Sequence, residues 1–209
     1  MNKYCNKTGF TLAEVLITLV IIGIVAALTV PNMLQQHKKQ EYSARLKKFY
    51  STMQQASIKA KSNGKPWEEW ANKYNSSSTG ISILEEFADE YLLPYLLYSK
   101  NYSQGGVYYL YFNDGSYLKF FKGNCIDFVY DVNGDRNPNI EGRDRYRFLF
   151  CPMSATGWIH QGTFIPYQPK DLNSREEAKN RCGNRASYYC STLLMMDSWE
   201  FKDDYPHKL

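Results

Sequence analysis

TGFTLAEVLITLVIIGIVAALTVPNML, residues 8–34, contains a single charged residue, Glu14. Residues 10–30 would form a helix of roughly 32 Å at ~1.5 Å per residue, enough to cross a hydrocarbon core of ~30 Å. The apolar region of a secretory signal peptide is shorter, about 7–15 residues. A carboxylate costs roughly 2.5–3.5 kcal/mol at the bilayer centre and less near its surface, so Glu14 is a candidate functional residue.

Glu14 has two interpretations. Thr11 and Glu14 fit the Thr-x-x-Glu pattern of a capping box, in which the carboxylate accepts hydrogen bonds at the start of its own helix. In the other interpretation, the carboxylate pairs with a positive charge on another molecule. The residues around it favour this second interpretation.

The stretch KTGFTLAE, residues 7–14, follows a short basic leader and precedes sixteen residues without a charge. It resembles the processing site of type IV prepilins and type II secretion pseudopilins. The resemblance implies that a prepilin peptidase cuts between Gly9 and Phe10, removing residues 1–9, and then methylates the new amino group of Phe10. It also implies that Glu14 neutralises the N-terminal amine of a neighbouring subunit and sets the register of a filament.

The resemblance further implies the location and the partners of the protein. It describes a single-pass inner-membrane protein with a cytoplasmic N-terminus, surrounded by lipid until an inner-membrane platform assembles it with other subunits. The filament is a pilus or a type II secretion pseudopilus. Lysine and arginine are more numerous after the apolar segment than before it, which favours the opposite orientation. We nevertheless predict that the C-terminal domain is extracytoplasmic. Large domains are translocated largely regardless of charge, and the cysteines indicate an oxidising compartment.

Pro31 ends the apolar segment, residues 10–31. The resemblance implies a helix that continues through a kink at Pro31; the alternative is that the helix stops at residue 30. Residues 32–64 have a stripe of apolar residues with helical spacing, which predicts an amphipathic helix that packs on a sheet. The stripe consists of Tyr42, Leu46, Phe49, Met53, Ala56 and Ala60. Asn63 and Gly64 predict its end.

Residues 65–209 are predicted to form a soluble domain. Short helices are expected near residues 66–70, 81–92 and 176–180, and a polar loop at residues 75–80. Strands are expected at residues 107–112, 116–121, 126–132 and 145–151, the first two joined by the hairpin turn Asn113-Asp114-Gly115. A long helix packed on an antiparallel sheet is an α+β fold, which agrees with the pilin-like architecture.

Four of the five cysteines follow residue 120, which favours two disulfides with three possible connectivities. We favour Cys182–Cys190, which closes a short loop, and Cys125–Cys151, between neighbouring strands. The alternative is a set of reduced, buried cysteines.

The segment DVNGDRNPNIEGRD, residues 131–144, begins with alternating Asp131, Asn133 and Asp135, like a calcium loop. The segment does not match an EF-hand loop, because Arg136 and Gly142 occupy the positions where that loop needs glycine and glutamate. The segment resembles a loop of pseudopilin-like proteins, some of which bind calcium. Calcium bound by these three residues is one hypothesis, and a polar turn organised by Asx side chains is the other.

The sequence carries no catalytic or nucleotide-binding motif, and His37, His160 and His207 form no metal-binding pair, so we predict that the protein is not an enzyme. Its net charge of +4 falls to +2 when the leader removes Lys3 and Lys7, which makes nucleic acid an unlikely partner. The alternative to a structural subunit is a minor subunit at the filament tip that binds a secreted protein, a surface glycan or DNA. Its 18 tyrosines and four tryptophans would supply stacking surfaces.

Overall fold

A computed structural model describes residues 9–73, 80–152, 155, 157–158, 162–184 and 186–209. The leader up to residue 8, residues 75–79 of the predicted polar loop and His160 lie outside the described residues. The chain divides into two compact units, residues 1–38 and residues 39–209.

Helix α1, Leu12–Ser62, is 51 residues long and contains Pro31 without interruption, so the helix does not stop at residue 30. Within the part of the chain that the structure describes, α1 is the one helix long and apolar enough to cross a membrane. Its apolar residues before Pro31 have a different environment from those after it, because only the later ones contribute to a protein core.

The predicted stripe of α1 is buried in full. The buried residues of the helix are Tyr42, Leu46, Phe49, Met53, Ala56 and Ala60. The helix ends where Lys65 N–H donates to the carbonyl of Ala60 (2.9 Å) and Gly64 adopts a φ of 71°. A positive φ there suits glycine, which has no Cβ to clash, so the predicted stop signal is confirmed.

Three short helical elements follow α1. They are α2 at Trp67–Lys73, α3 at Ile81–Glu86 with a π-helical turn at Phe87–Leu92, and a 3₁₀ turn at Leu93–Tyr95. The predicted helix at residues 81–92 therefore has the right length but changes its hydrogen-bonding pattern at Phe87. Trp67 contacts the Phe87 ring (5.2 Å between centroids) and its indole N–H donates to the Tyr91 carbonyl (2.8 Å).

The described residues form one six-stranded antiparallel sheet in which every strand pairs with its neighbours in sequence. The strands are β1 Lys100–Gln104, β2 Val107–Tyr111, β3 Tyr117–Lys122, β4 Ile126–Asp131, β5 Arg145–Phe150 and β6 Phe164–Pro166. The four predicted strands are β2–β5, and the α+β fold class is confirmed. The two edge strands were missed.

Phe49 connects α1 to the inner face of the sheet. Its ring stacks on Tyr130 (3.9 Å) and meets Phe148 and Phe164 edge to face (5.2 and 5.9 Å). Aromatic pairs in these geometries contribute about 0.5–1.5 kcal/mol each beyond the area they bury. A smaller buried cluster forms separately from this core, from Cys125, Leu149, Cys151 and Ile165.

The C-terminal region contains α4, Arg175–Cys182, and α5, Cys190–Met196. Ser174 caps α4 by accepting from the N–H of Glu177 (3.2 Å). After α5, Trp199 is buried and stacks on Phe148 (6.2 Å). The C-terminal region therefore adds residues to the hydrophobic core that the sheet forms with α1.

Candidate processing and assembly site

The peptide bond predicted for cleavage lies in exposed, non-helical chain. Gly9 and Phe10 precede the first helical residue, Leu12, and both are exposed. Phe10 is 89% exposed, and no atom of the described residues lies within 4 Å of the position a Cβ would take on Gly9. A peptidase needs its substrate in an extended conformation, and this segment requires no unwinding of α1 to provide one.

Glu14 makes the hydrogen bonds of a capping box. Its Oε2 accepts from both the backbone N–H and the hydroxyl of Thr11 (2.8 Å each), and its own N–H donates to the Thr11 hydroxyl (3.3 Å). The hydrogen bonds of the capping-box interpretation are therefore present in the single chain. The side chain is exposed, so a charged group of another molecule has access to it.

The apolar residues of the first unit form no core. The large apolar side chains in residues 10–34 are between 43% and 89% exposed. A continuous apolar surface of this kind is far larger than the patches of soluble monomers and requires lipid or other apolar helices around it. This segment is therefore a membrane or interaction surface.

The loop predicted as a possible calcium site is organised by an internal ion pair. The carboxylate of Asp131 is fully buried and accepts from Arg145 Nε (2.9 Å) and from the N–H of Asn133 (3.3 Å). Arg145 also donates to the Tyr117 hydroxyl (2.8 Å) and to the Asn139 carbonyl (3.0 Å). Burial raises the pKa of Asp131 to about 6, although the hydrogen bond from Arg145 opposes this shift.

The other carboxylates of this loop are also hydrogen-bonded within the protein. Asp144 accepts from the N–H groups of Asn139 and Ile140 (2.8 and 2.6 Å), as expected of an Asx-type turn. Asp135 lies 3.3 Å from the hydroxyl of Tyr111. A calcium ion on Asp131 would place a second cation beside the Arg145 guanidinium, so this arrangement fits the polar-turn hypothesis better than the calcium hypothesis.

Sequence reasoning missed Arg145 as a partner of Asp131. The two residues are direct partners in the β4–β5 register, so they project from the same face of the sheet. The signal was present, because Asp131 is the last but one residue of the predicted strand 126–132 and Arg145 begins the next. Antiparallel pairing of these ends places opposite charges side by side.

Both favoured disulfides are present. Cys125–Cys151 joins the residues directly outside the Ile126–Phe150 pair of β4 and β5. Cys182–Cys190 joins the end of α4 to the start of α5. The C-terminal tail lies over the second disulfide, with the ring Nε2 of His207 2.9 Å from the Cys182 carbonyl.

Comparisons with known proteins divide the chain near Pro31. A model described as a family of unknown function (DUF6613) matches residues 32–209. A model described as the prokaryotic N-terminal methylation motif matches residues 5–30. The type II secretion system core protein G of Vibrio cholerae serotype O1 is 46% identical over 41 residues, which are 20% of this chain and 28% of that relative. No solved structure matches this chain.

Proposed function

The chain belongs to the DUF6613 family of unknown function and carries the N-terminal methylation motif of the type IV pilin and pseudopilin family, and from these findings we propose that it is a processed filament subunit. A prepilin peptidase removes residues 1–9, and the inner-membrane platform then assembles the mature chain into a pilus or a type II secretion pseudopilus. The observation that carries this proposal is the exposed apolar helix with one carboxylate, Glu14, near its start. The role is structural rather than enzymatic.

Cleavage between Gly9 and Phe10 would create an amine four residues before Glu14. The non-helical, exposed chain at this bond supports its choice as the cleaved bond. Methylation of Phe10 would follow and keep the amine positively charged. The positive end of the α1 dipole lies at the same place, so a neighbouring carboxylate is attracted by both.

Glu14 has one role before assembly and another after it. In the single chain it caps its own helix through Thr11. In a filament, where apolar helices replace lipid, it would accept the N-terminal amine of a neighbouring subunit. A charge pair in an apolar bundle contributes little net stability, but a subunit out of register would leave both charges without a partner.

The segments before and after Pro31 have different proposed roles. Residues 10–31 form the membrane anchor and then the filament core, and residues 32–64 form the spine of the soluble domain. Pro31 has no N–H, so the carbonyl one turn earlier, at Ala27, loses its usual helical partner. This supports a local kink or unwinding at Pro31 when helices pack in the filament.

Intact-mass measurement of the native protein tests the processing step. We expect loss of residues 1–9 and gain of one methyl group. Gly9→Leu should leave full-length precursor in the membrane. Gly23→Leu is the matched control, since a Cβ at either glycine meets no atom of the described residues within 4 Å. A mature chain that starts at any residue other than Phe10 would refute the assignment.

Two substitutions separate the register role of Glu14 from capping. Glu14→Gln keeps a capping-box side chain but removes the charge, so we expect normal membrane insertion and loss of assembly. Thr11→Val removes the capping hydroxyl but keeps the carboxylate, so filaments should still form. Filaments from Glu14→Gln at the normal yield would eliminate the charge-pair role.

One observation favours the minor tip subunit as a second candidate. On the exposed edge of the sheet, the ring of Tyr102 stacks on Tyr109 (4.9 Å) and Lys100 lies over the ring of Tyr111 (4.2 Å). Stacked, accessible tyrosines suit a sugar ring of a surface glycan. Abundance distinguishes the candidates, because a major subunit dominates sheared filaments and a tip subunit is a trace component of them.

A further inference from the structure

A cavity of about 510 Å³ lies in the second unit, between α1 and the β2–β3 hairpin. Its volume falls within the roughly 300–1,000 Å³ range of small-molecule sites. The lining side chains come from one face of α1 after Pro31, from the hairpin turn, from β4, and from the end of the 3₁₀ turn and the chain after it. The cavity is therefore a feature of the domain and is independent of the N-terminal processing proposed above.

One wall of the cavity is apolar. Phe49 and Tyr130 stack at 3.9 Å, and Phe112 meets both rings edge to face (6.1 and 6.2 Å). Leu97 also lines the cavity, and its side chain is 86% exposed. A large apolar side chain in this position offers contact area to a ligand without any rearrangement of the core.

The α1 side of the cavity is positively charged. Arg45, Lys48 and Lys59 line it, against one carboxylate, that of Asp114, which leaves a net charge of +2. Arg45 is held by Glu41 (3.0 Å) and by the carbonyls of Asp114 and Val132 (3.2 Å each). Lys48 and Lys59 are exposed and, within the described part of the chain, form no ion pair. Two ammonium groups therefore stand free beside an apolar wall.

Asp114 does not neutralise these two lysines by direct contact. Its carboxylate accepts from the hydroxyl and the N–H of Ser116 (2.6 and 3.1 Å). Burial works to raise the pKa of Asp114, but these hydrogen bonds and the charges of Arg45 and Lys48 lower it overall. The carboxylate is thus ionised and oriented toward the hairpin turn, which it stabilises.

We propose that this cavity binds a small amphipathic carboxylate, with its apolar body against Phe49, Phe112 and Leu97. Its acid group contacts the ammonium group of either Lys48 or Lys59, which lie roughly 16 Å apart along α1. Charge complementarity selects an anion, and the apolar wall selects against small inorganic anions. Each buried methylene contributes about 0.8 kcal/mol, so a medium-length alkyl chain is sufficient for binding. The cavity volume favours a small molecule over a folded partner.

Octanoate is a suitable probe because 1-octanol and octylammonium have the same chain with no charge or the opposite charge. The full chain in a non-ionic detergent is titrated with each compound by calorimetry. We expect saturable binding of octanoate and at least tenfold weaker binding of the other two, the factor of a lost charge-assisted contact. Equal binding of all three compounds would overturn the proposal, because it would indicate only an apolar surface.

Two variants test the position of the ligand. Lys48→Gln with Lys59→Gln should weaken octanoate binding about tenfold, and the matched control, Lys39→Gln with Lys47→Gln, removes the same charge from α1 outside the cavity lining. Gln55→Trp, at an exposed lining position, should fill the cavity and abolish binding without a change of charge. Equal octanoate affinity in both lysine pairs, or binding retained by Gln55→Trp, would refute the site.

Discussion

The two parts of α1 on either side of Pro31 use apolar residues in opposite ways. Before Pro31 the large apolar side chains cover the whole helix and stay exposed, whereas after it six residues on one face are buried against the domain. A helix that is apolar on every side thus packs against lipid or other molecules. A helix with an apolar stripe on one face packs against its own domain.

The largest effect is expected where the stripe meets the sheet. Phe49→Ala should lower the free energy of unfolding of the domain by about 3–5 kcal/mol, because it leaves a cavity among four aromatic rings. Leu19→Ala, before Pro31, should change it by less than about 0.5 kcal/mol, since Leu19 is 60% exposed. Denaturation in non-ionic detergent, followed by tryptophan fluorescence, measures both. Equal effects would contradict the division of α1.

The disulfides extend the comparison into the domain. In the chain-entropy model, the 26-residue separation of Cys125 and Cys151 is worth roughly 3.5 kcal/mol, and the 8-residue separation of Cys182 and Cys190 roughly 2.5 kcal/mol. Paired substitution by serine should therefore destabilise the domain more in the first case than in the second. Chemical denaturation of the two double variants gives the difference, and the reverse order would show that the loop-length account is wrong here.

Asp127 predicts a smaller, pH-dependent effect that is confined to the domain. Burial raises the pKa of Asp127 to about 6, against the opposing charges of Arg147 and Lys122. Since the folded state holds this proton more tightly than the unfolded state, the stability gained is complete below pH ~4 and is lost as the pH rises through 6. A rise of this pKa from 3.8 to about 6 corresponds to a loss of roughly 3 kcal/mol.

The variant Asp127→Asn should show a smaller decline in stability between pH 4 and pH 7 than the parent. Asp131 keeps part of the decline, because its pKa is also raised to about 6. Glu200→Gln is the control, since Glu200 is exposed and its pKa is lowered by Lys202. An unchanged pH profile in Asp127→Asn would show that this carboxylate does not titrate in that range.

The smallest expected effect concerns calcium. Because Arg145 already satisfies Asp131, we expect a chelator to leave the thermal midpoint of the protein unchanged. A decrease on chelation in the parent, absent from a variant with Asp131, Asn133 and Asp135 substituted, would instead establish a calcium site. Arg145→Met is the sharper variant, because it leaves a buried carboxylate without its cation and should destabilise the domain with or without calcium.

Elements with strong periodicity could be predicted from the sequence, and polar or very short elements could not. The stripe from Tyr42 to Ala60 and the hairpin around Gly115 follow from helical spacing and turn chemistry. Strand β1 is polar and largely exposed, and β6 is three residues long, so neither has the alternation that identifies a strand. Their presence depends on pairing with β2 and β5, which is a tertiary effect.

The candidate site shows the same limit. Glu14 and its capping pattern are local in sequence, and so could be recognised before the structure. The cavity lysines, by contrast, lie off the apolar stripe of α1, where charged residues usually indicate only a solvent-exposed face. Lys48 and Lys59 gain a common role because the hairpin turn and Leu97 lie opposite them, and no local pattern specifies that arrangement.

The order of the sheet has a consequence for how the domain is made. Since each strand pairs with the strand before it, contacts form over short distances along the chain, which favours fast folding. A domain that emerges from its N-terminal side can add one strand at a time to the sheet. No strand then needs a partner from the distant end of the chain. If the domain is exported across the membrane, as the proposed function requires, this order limits aggregation before the sheet is complete.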